Sequence, residues 1–332
     1  MKKTLLAVLL IALQQSAVYA QPSTEFKVVK TFHIASNGGW DYLAVGPANK
    51  LYVSHGSQVN VLNKTTGDSI GVIVNTTGVH GIAFDPKGMG FTSNGRLNNV
   101  TVFDPKTDQE TGHIATGENP DAIMYDPFSK MIVTCNGRSK DLTVIDPSTQ
   151  KVVTTIPVGG KPETAVSDEN GNWFVNIEDK NEIVKVNSKT YQVEAHWMLT
   201  PAEGPTGLAI DKAGKRLFVG CDKQLAILNY TTGKIVTTLP IGDGCDGVAF
   251  NNKTKTIFTS NGEGTMTIIK EITADSYKVL QTLATKRSAR TIAIDESTET
   301  IYLPAVDYES QPVTAGGRPK SVPGSFQILM IK

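Results

Sequence analysis

The chain has 332 residues, of which 39% are hydrophobic and 19% are charged, and its formal net charge at pH 7 is zero. Such a chain is long and apolar enough to bury a large core. The balance of basic and acidic residues excludes a general electrostatic attraction to nucleic acid.

The first 20 residues have the pattern of a secretory signal peptide. Lys2 and Lys3 precede an apolar run over residues 5–13, and small residues lead to a predicted cleavage site after Ala20. The run is too short for a stable membrane span, and the residue directly after the cleavage site is Gln21 and not a cysteine, so a lipid anchor is not indicated. Loss of the two lysines leaves 30 basic and 32 acidic residues, a net charge of −2. We therefore expect a periplasmic or secreted protein with no membrane anchor, whose residues 21–332 form a single domain.

One unit of short apolar segments recurs along the rest of the chain. Its first segment covers residues 42–45, 81–84, 122–125, 164–167, 207–210, 247–250 and 291–294, at spacings of 39, 41, 42, 43, 40 and 44 residues. A turn such as Asp85-Pro86 or Asp126-Pro127 follows, and then a second segment such as LYVS or MIVT. A period near 40 residues with four strands per unit is typical of a β-propeller blade. The pattern predicts an all-β fold, a seven-bladed β-propeller with four antiparallel strands per blade.

The two ends of the repeat are incomplete in complementary ways. Residues 25–34 resemble a fourth strand without its first three, and the last unit ends after its third strand at residues 326–331. Pairing the N-terminal strand with the C-terminal blade would close the ring and remove an open sheet edge.

Polar residues fall at the two positions of each unit that blade topology brings to one mouth of the axial channel. These positions directly precede the first strand and end the second strand. They give ten candidate ligand-binding residues: Asp41, His80, Asp121, Glu163, Asp246, Arg290, His55, Asn94, Asn136 and Asn261. The three asparagines each precede a glycine, so a turn role is the alternative for them.

Four of these residues, from consecutive blades, are candidate metal ligands: Asp41, His80, Asp121 and Glu163. Carboxylates crowded at one mouth require compensation by a cation, by Arg290 or by protonation. Oxygen donors with one imidazole suit Ca²⁺, Mg²⁺, Mn²⁺ or Zn²⁺, and His80 is the candidate acid or base. The alternative is a solvated rim whose aspartates hold turn amides.

Two further features bear on the same face of the predicted ring. Residues 304–324 replace a short turn, and we expect them to cover the mouth as a lid that presents Asp307, Tyr308, Arg318 or Lys320; the alternative is a loop without a function. Cys221 and Cys245 also fall on this face, and a disulfide between them is one alternative in an oxidising compartment.

The repeats resemble a known family. The runs LYVSHGSQVNVLNKTTG, GFTSNGRLNNVTVFDPKT and MIVTCNGRSKDLTVIDPST are similar to the YVTN-type repeat of YncE-like exported proteins. The resemblance covers roughly residues 26–332 and implies a seven-bladed propeller used mainly for binding. Some similar proteins bind single-stranded DNA, some belong to surface layers, and related propellers support lactonase, lyase or quinoprotein chemistry.

Two functions follow as expectations. The first is an exported binding module, expected to be monomeric, that recognises a small molecule, glycan or protein at an acidic channel mouth. The second is a hydrolase or lyase, lactonase-like, assisted by a divalent cation at the same mouth. Nucleic acid is not an expected partner because acidic side chains repel phosphates.

Overall fold

The computed structural model describes residues 25–36, 38–310 and 319–332. Within these residues the chain forms 28 strands and one 3-10 turn at Glu178–Lys180. The strands assemble into seven antiparallel sheets of four strands each, which confirms the predicted seven-bladed propeller. The predicted signal peptide lies outside the described residues.

The strands follow one another blade by blade. Blade 1 contains β2 Trp40–Val45, β3 Lys50–His55, β4 Gln58–Asn63 and β5 Ser69–Ile73. Blade 2 contains β6 Val79–Phe84, β7 Gly90–Asn94, β8 Asn99–Asp104 and β9 Gln109–Ala115. Blade 3 contains β10 Pro120–Asp126, β11 Met131–Asn136, β12 Asp141–Asp146 and β13 Lys151–Pro157. Blade 4 contains β14 Pro162–Ser167, β15 Asn172–Ile177, β16 Glu182–Asn187 and β17 Gln192–Met198. Blade 5 contains β18 Leu208–Asp211, β19 Arg216–Cys221, β20 Gln224–Asn229 and β21 Lys234–Pro240. Blade 6 contains β22 Cys245–Asn251, β23 Thr256–Asn261, β24 Thr265–Thr273 and β25 Ser276–Ala284. Blade 7 contains β26 Ala293–Asp295, β27 Thr300–Ala305, β28 Gln327–Ile331 and, from the other end of the chain, β1 Val28–His33.

The N-terminal strand closes the ring, as the sequence predicts. Strand β1 pairs with β28 in antiparallel register, with Phe32 opposite Ile328. The Phe32 ring is buried among residues of blades 1 and 7. The Lys64 ammonium of blade 1 lies 2.6 Å from the Asp295 carboxylate of blade 7, a second link across the closure. Both ends of the chain therefore contribute to one sheet and to its contact with the next.

Turn aspartates tie neighbouring blades together on the face opposite the predicted site. The Asp126 carboxylate accepts hydrogen bonds from the Ser129 backbone amide at 3.0 Å and the Ser129 hydroxyl at 2.6 Å. It also accepts the Trp173 indole N–H at 2.9 Å and the Ser167 hydroxyl at 2.6 Å from blade 4. One acidic side chain thus shapes its own turn and fixes the next blade beside it, which accounts for the recurrence of aspartate after the first strand.

The hydrophobic core is distributed between blades rather than gathered at one centre. Second and third strands are buried on both faces, whereas fourth strands such as β17 alternate between exposed and half-buried residues. Aromatic side chains fill the spaces between sheets, as where Phe174 of blade 4 lies 5.0 Å from the Tyr230 ring of blade 5. Within residues 25–36, 38–310 and 319–332, no helix is long and apolar enough to cross a membrane.

Candidate channel-mouth site

β-Bulges position the candidate side chains at the mouth. In blade 1 the pairs Trp40–His55 and Leu43–Val53 leave Asp41 and Tyr42 opposite one residue. Equivalent register shifts occur at His80, Asp121, Glu163 and Asp246. A bulge adds a residue to one strand and re-aims its side chain. The same local defect, repeated in five blades, therefore points five polar residues at the channel.

Side-chain hydrogen bonds to backbone carbonyls connect the blades around this mouth. They bridge five of the seven blade junctions: Ser93 donates to the Asp121 carbonyl, Asn176 to Thr206 at 2.8 Å, Thr206 to Cys245 at 2.5 Å, Ser260 to Arg290, and Thr291 to Asp41 at 2.7 Å. Three of the acceptor carbonyls lie at or beside a bulged residue, where the sheet ladder is interrupted: those of Asp121, Cys245 and Asp41. Small polar side chains of the neighbouring blade therefore hold three of the bulges and connect the blades around the mouth.

Three of the four predicted metal ligands come together. Asp41, His80 and Asp121 each offer one donor atom, and these atoms lie within 4.8 Å of one another. The His80 Nδ1–H donates to Asp41 Oδ2 at 2.6 Å, and Asp121 Oδ1 lies 3.7 Å from the same nitrogen, too far for a hydrogen bond. Asp121 is only 8% exposed, and its Oδ1 atom has no hydrogen-bond partner among the described residues.

Glu163, the fourth predicted ligand, lies outside that group and faces a lysine. The Lys161 ammonium is 3.1 Å from Glu163 Oε2, without the geometry of a hydrogen bond, and also contacts the Glu178 carboxylate. Sequence reasoning did not identify Lys161, although it lies two residues before Glu163. Asp246, by contrast, pairs with the Arg290 guanidinium from the neighbouring blade.

Burial and mutual repulsion raise the proton affinity of the site. Burial raises the pKa values of Asp121 and Glu163, and their negative neighbours raise them further. Burial raises the pKa of Asp246 to about 6, and the Arg290 charge limits the rise. For His80, burial opposes the charged form, but the hydrogen bond to Asp41 and the nearby carboxylates outweigh it and raise the pKa to about 9. The mouth therefore carries more acidic groups than its own basic groups neutralise.

Tyr42, a residue that sequence reasoning did not identify, lies close to these acids. Its hydroxyl lies 3.4 Å from the Thr164 hydroxyl of blade 4. Burial, followed by the charges of Asp121 and Glu163, raises its pKa well above the ordinary value, so the phenol stays neutral. The available sequence signal was its place directly after Asp41, and the bulge at this point leaves both residues opposite one residue of the next strand.

His55 and the three asparagines are engaged elsewhere. The His55 ring lies 2.5 Å from the Ser36 hydroxyl through Nδ1 and 3.1 Å from the Gly38 carbonyl through Nε2, and it stacks on Phe326. Burial lowers the pKa of His55, consistent with a neutral ring. The asparagines share one pattern. The side-chain oxygen accepts a hydrogen bond from the hydroxyl two residues earlier, and the side-chain NH₂ donates to the third strand. Asn136, for example, accepts from Thr134 at 2.9 Å and donates to Asp141 at 2.7 Å and Thr143 at 2.8 Å; Asn94 and Asn261 repeat this arrangement.

The ends of the long blade-7 loop meet beside the mouth. Tyr308 bridges Ser321, and Lys286 pairs with Asp307. A pocket of about 470 Å³ lies between Gly39, Trp40, Arg290, Tyr308, Pro319 and Ser321. Trp40 lines this pocket and also packs against Phe326 of blade 7. Residues 311–318, including Arg318, lie outside the described residues, and the lid stays a prediction.

The two cysteines considered for a disulfide do not form one. Cys221 and Cys245 are free and buried, and each thiol contacts a backbone carbonyl of its own strand.

A groove of about 910 Å³ lies on the opposite face beside Tyr125 and Pro147. Its acids Asp85 and Asp146 hold their own turns, so it has no surplus charge comparable with that of the mouth.

Comparison with known proteins agrees with this architecture. A family model described as YNCE-like beta-propeller matches residues 73–184. Among solved structures, Kuenenia stuttgartiensis hydrazine synthase superposes with a TM-score of 0.72 at 16% sequence identity, over 82% of this chain and 94% of that chain, a likeness that concerns the fold alone. No curated protein matches the chain. The family match and the seven four-stranded sheets together support a YncE-like propeller protein.

Proposed function

We propose that this protein is an exported binding module that takes a positively charged group of its ligand at the acidic channel mouth. The ligand would be a small molecule, a glycan or a segment of another protein that carries such a group. The observation that carries the proposal is the buried Oδ1 atom of Asp121, which has no hydrogen-bond partner among the described residues.

The charge balance of the mouth supports a cationic ligand. Five carboxylates converge there, those of Asp41, Asp121, Glu163, Glu178 and Asp246, and they face three basic groups, those of His80, Lys161 and Arg290. Removing one charged group from water without a partner costs several kcal/mol in real proteins. A ligand with a positive group would offset that cost, whereas the phosphates of nucleic acid would add to it.

The position of Tyr42 also favours binding at the mouth. Its side chain reaches from blade 1 to Thr164 of blade 4 and lies near the carboxylates. A few polar groups that converge in this way fix the orientation of a ligand in small-molecule sites.

Binding of organic cations tests the proposal. Spermidine, arginine and choline would be titrated against the mature protein by calorimetry, with Glu163→Gln as the site variant. Glu296→Gln, which removes the same charge from an exposed turn on the opposite face, is the matched control. We expect at least one of these cations to bind. Glu163→Gln should weaken its affinity by about tenfold, the equivalent of about 1.4 kcal/mol, and Glu296→Gln should leave the affinity unchanged. Binding that both variants weaken equally would contradict a site at the mouth.

A second candidate function is hydrolysis or elimination assisted by a divalent cation. The contact that favours it is the hydrogen bond between His80 and Asp41, because a carboxylate that orients an imidazole and keeps it protonated can prepare it as a general acid. Turnover of lactones and esters in the presence of Zn²⁺, Mn²⁺ or Ca²⁺, lost in His80→Gln, would support this function. No turnover with any of these ions would reject it.

Export is part of the proposal, supported by the charged and apolar pattern of residues 1–20. The intact mass of the protein isolated from its own cells tests it. We expect a mature chain that begins at Gln21; a full-length chain that starts at Met1 would contradict cleavage.

A further inference from the structure

We infer that Asp41, His80 and Asp121 form a binding site for one divalent first-row transition cation, of the Zn²⁺ or Mn²⁺ type. This inference rests on the proposed function in that both take the channel mouth as the ligand site. It adds that the innermost part of the mouth binds a metal ion.

The geometry of the three donors fits a single ion. Donor atoms bound to one metal at 2.0–2.2 Å are separated by about 3–4 Å, depending on the coordination angle. The three donors here come from three blades and all lie within 4.8 Å of one another. Two of the separations, 2.6 Å and 3.7 Å from His80 Nδ1 to Asp41 and Asp121, bracket the distance required. Only a small adjustment of side chains would place an ion between them.

A second observation, independent of the acidic cluster, points to a ligand. The side chain of Asp121 is held on a bulge and buried, yet no residue that the structure describes donates a hydrogen bond to Oδ1. Its backbone is fixed, since the Asp121 carbonyl accepts from Ser93 of the adjacent blade. A buried acceptor that is aimed at a histidine nitrogen but does not bond to it needs a partner, and a metal ion would supply one.

The donor set selects the class of cation. Two carboxylates neutralise a divalent ion, so binding would remove the surplus charge of the inner mouth. The imidazole nitrogen suits Zn²⁺ and the two carboxylates suit Mn²⁺, whereas Ca²⁺ prefers six to eight oxygen donors. His80 must lose the Nδ1 proton that it now donates to Asp41, so the ion takes the place of that proton.

Backbone at Gly95 leaves room for the imidazole. A Cβ atom at Gly95 would lie 2.7 Å from His80 Nε2, closer than Cβ atoms come to other heavy atoms in proteins. The Gly95 position therefore constrains the orientation of the ring that turns Nδ1 toward the two aspartates.

Metal titration of the chelator-treated mature protein tests the inference. Zn²⁺ and Mn²⁺ would be titrated by calorimetry, with Ca²⁺ in parallel. Asp121→Asn removes a donor, and Asp246→Asn removes the same charge at the same mouth without touching the three-residue group. We expect one strong site for Zn²⁺ or Mn²⁺. Asp121→Asn should weaken the metal affinity by about tenfold or more. Asp246→Asn should weaken it by less than about fivefold, because it removes only a nearby negative charge.

A spectroscopic measurement identifies the histidine. Co²⁺ bound at the site would give visible absorption bands that change when His80→Gln removes the nitrogen donor. Asp41→Asn, checked by a thermal melt, serves as the second ligand variant if Asp121→Asn does not fold.

Three results would overturn the inference: no binding of Zn²⁺ or Mn²⁺, equal weakening by Asp121→Asn and Asp246→Asn, or binding of Ca²⁺ as tight as that of Zn²⁺. If the metals fail while spermidine binds in a manner that depends on Glu163, the proposed function stands and the metal site falls. If neither class binds, both fall.

Discussion

The Tyr42 hydroxyl lies 3.4 Å from the Thr164 Oγ1 atom, although 122 residues separate the two along the chain. The first strand of blade 1 thus meets the first strand of blade 4 across the centre of the ring. The Tyr42 side chain also packs against the core between blades 3 and 4. It therefore acts as a central plug that joins opposite blades.

Removing this plug should destabilise the whole ring. We expect Tyr42→Ala to lower the free energy of unfolding by about 3 kcal/mol, because it leaves a cavity among packed strands. Tyr42→Phe keeps the plug and loses only the hydroxyl, so its effect should stay within about 1 kcal/mol. Urea unfolding of both variants measures the difference. Equal stability of Tyr42→Ala and the wild type would show that the ring does not depend on the plug.

The buried asparagines should contribute to stability rather than to ligand binding. Asn136→Ala removes three hydrogen bonds, among them the one that the buried Thr134 hydroxyl donates, which should cost about 2–3 kcal/mol. The exposed Asn252→Ala should change stability by less than about 0.5 kcal/mol. Thermal unfolding measures both, and calorimetry with an organic cation shows whether binding survives. A folded Asn136→Ala protein that no longer binds would restore the predicted ligand role.

The link between Lys64 and Asp295 predicts a dependence of stability on pH. Burial opposes ionisation of Asp295, but hydrogen bonds from Lys64, Ser297 and Thr298 outweigh it and lower the pKa to about 2. A lowered pKa stabilises the folded state fully above the unfolded-state value near 4, and this contribution is lost as the pH falls toward 2. Asp295→Asn should therefore cost about 2 kcal/mol at pH 6 and progressively less below pH 4. Urea unfolding at pH 6, 4 and 3 measures the trend.

The neighbouring Glu296→Gln is the control for this experiment, because Glu296 is exposed on the same turn. Its effect should be small at each pH. A difference between Asp295→Asn and the wild type that stays constant from pH 6 to pH 3 would contradict the role assigned to the ion pair.

The N-terminal strand should matter far more than a chain terminus usually does. Deletion of residues 25–34 removes one strand of blade 7 and exposes the β28 edge, so we expect aggregation in gel filtration. Two point variants separate packing from pairing. Phe32→Ala, at a residue 3% exposed, should cost about 3–4 kcal/mol. Val29→Ala, at a residue 43% exposed on the same strand, should cost less than about 0.5 kcal/mol. A deletion variant that stays monomeric and stable would contradict closure by β1.

The fold was accessible from the sequence because its signals are local. Asp126-Pro127 and Asn136-Gly137 are typical turn sequences, and a turn after the first strand recurs seven times at a period near 40 residues. Strand order then follows, since consecutive short strands with tight turns pair antiparallel. Ring closure could also be predicted, because the single strand at the N-terminal end matches the strand that the C-terminal blade lacks.

The site was only partly accessible, because its details depend on contacts between distant blades. Position in the repeat placed Asp41, His80 and Asp121 at one mouth, and the structure brings these three together. The same rule also selected His55, whose ring is held by Ser36 and Gly38. Whether a residue faces the channel depends on the bulge beside it, and a bulge has no sequence signal as strong as a turn.

The pairing of β1 with β28 has a consequence for how the molecule is made. Phe32 of β1 lies opposite Ile328 of β28, so the ring cannot close until β28 has been synthesised. Before that point β1 lacks its partner, and ring closure requires contacts between segments that lie far apart along the chain, which form slowly. A protein with this topology therefore depends on its slowest class of contact for the step that removes its last open sheet edge.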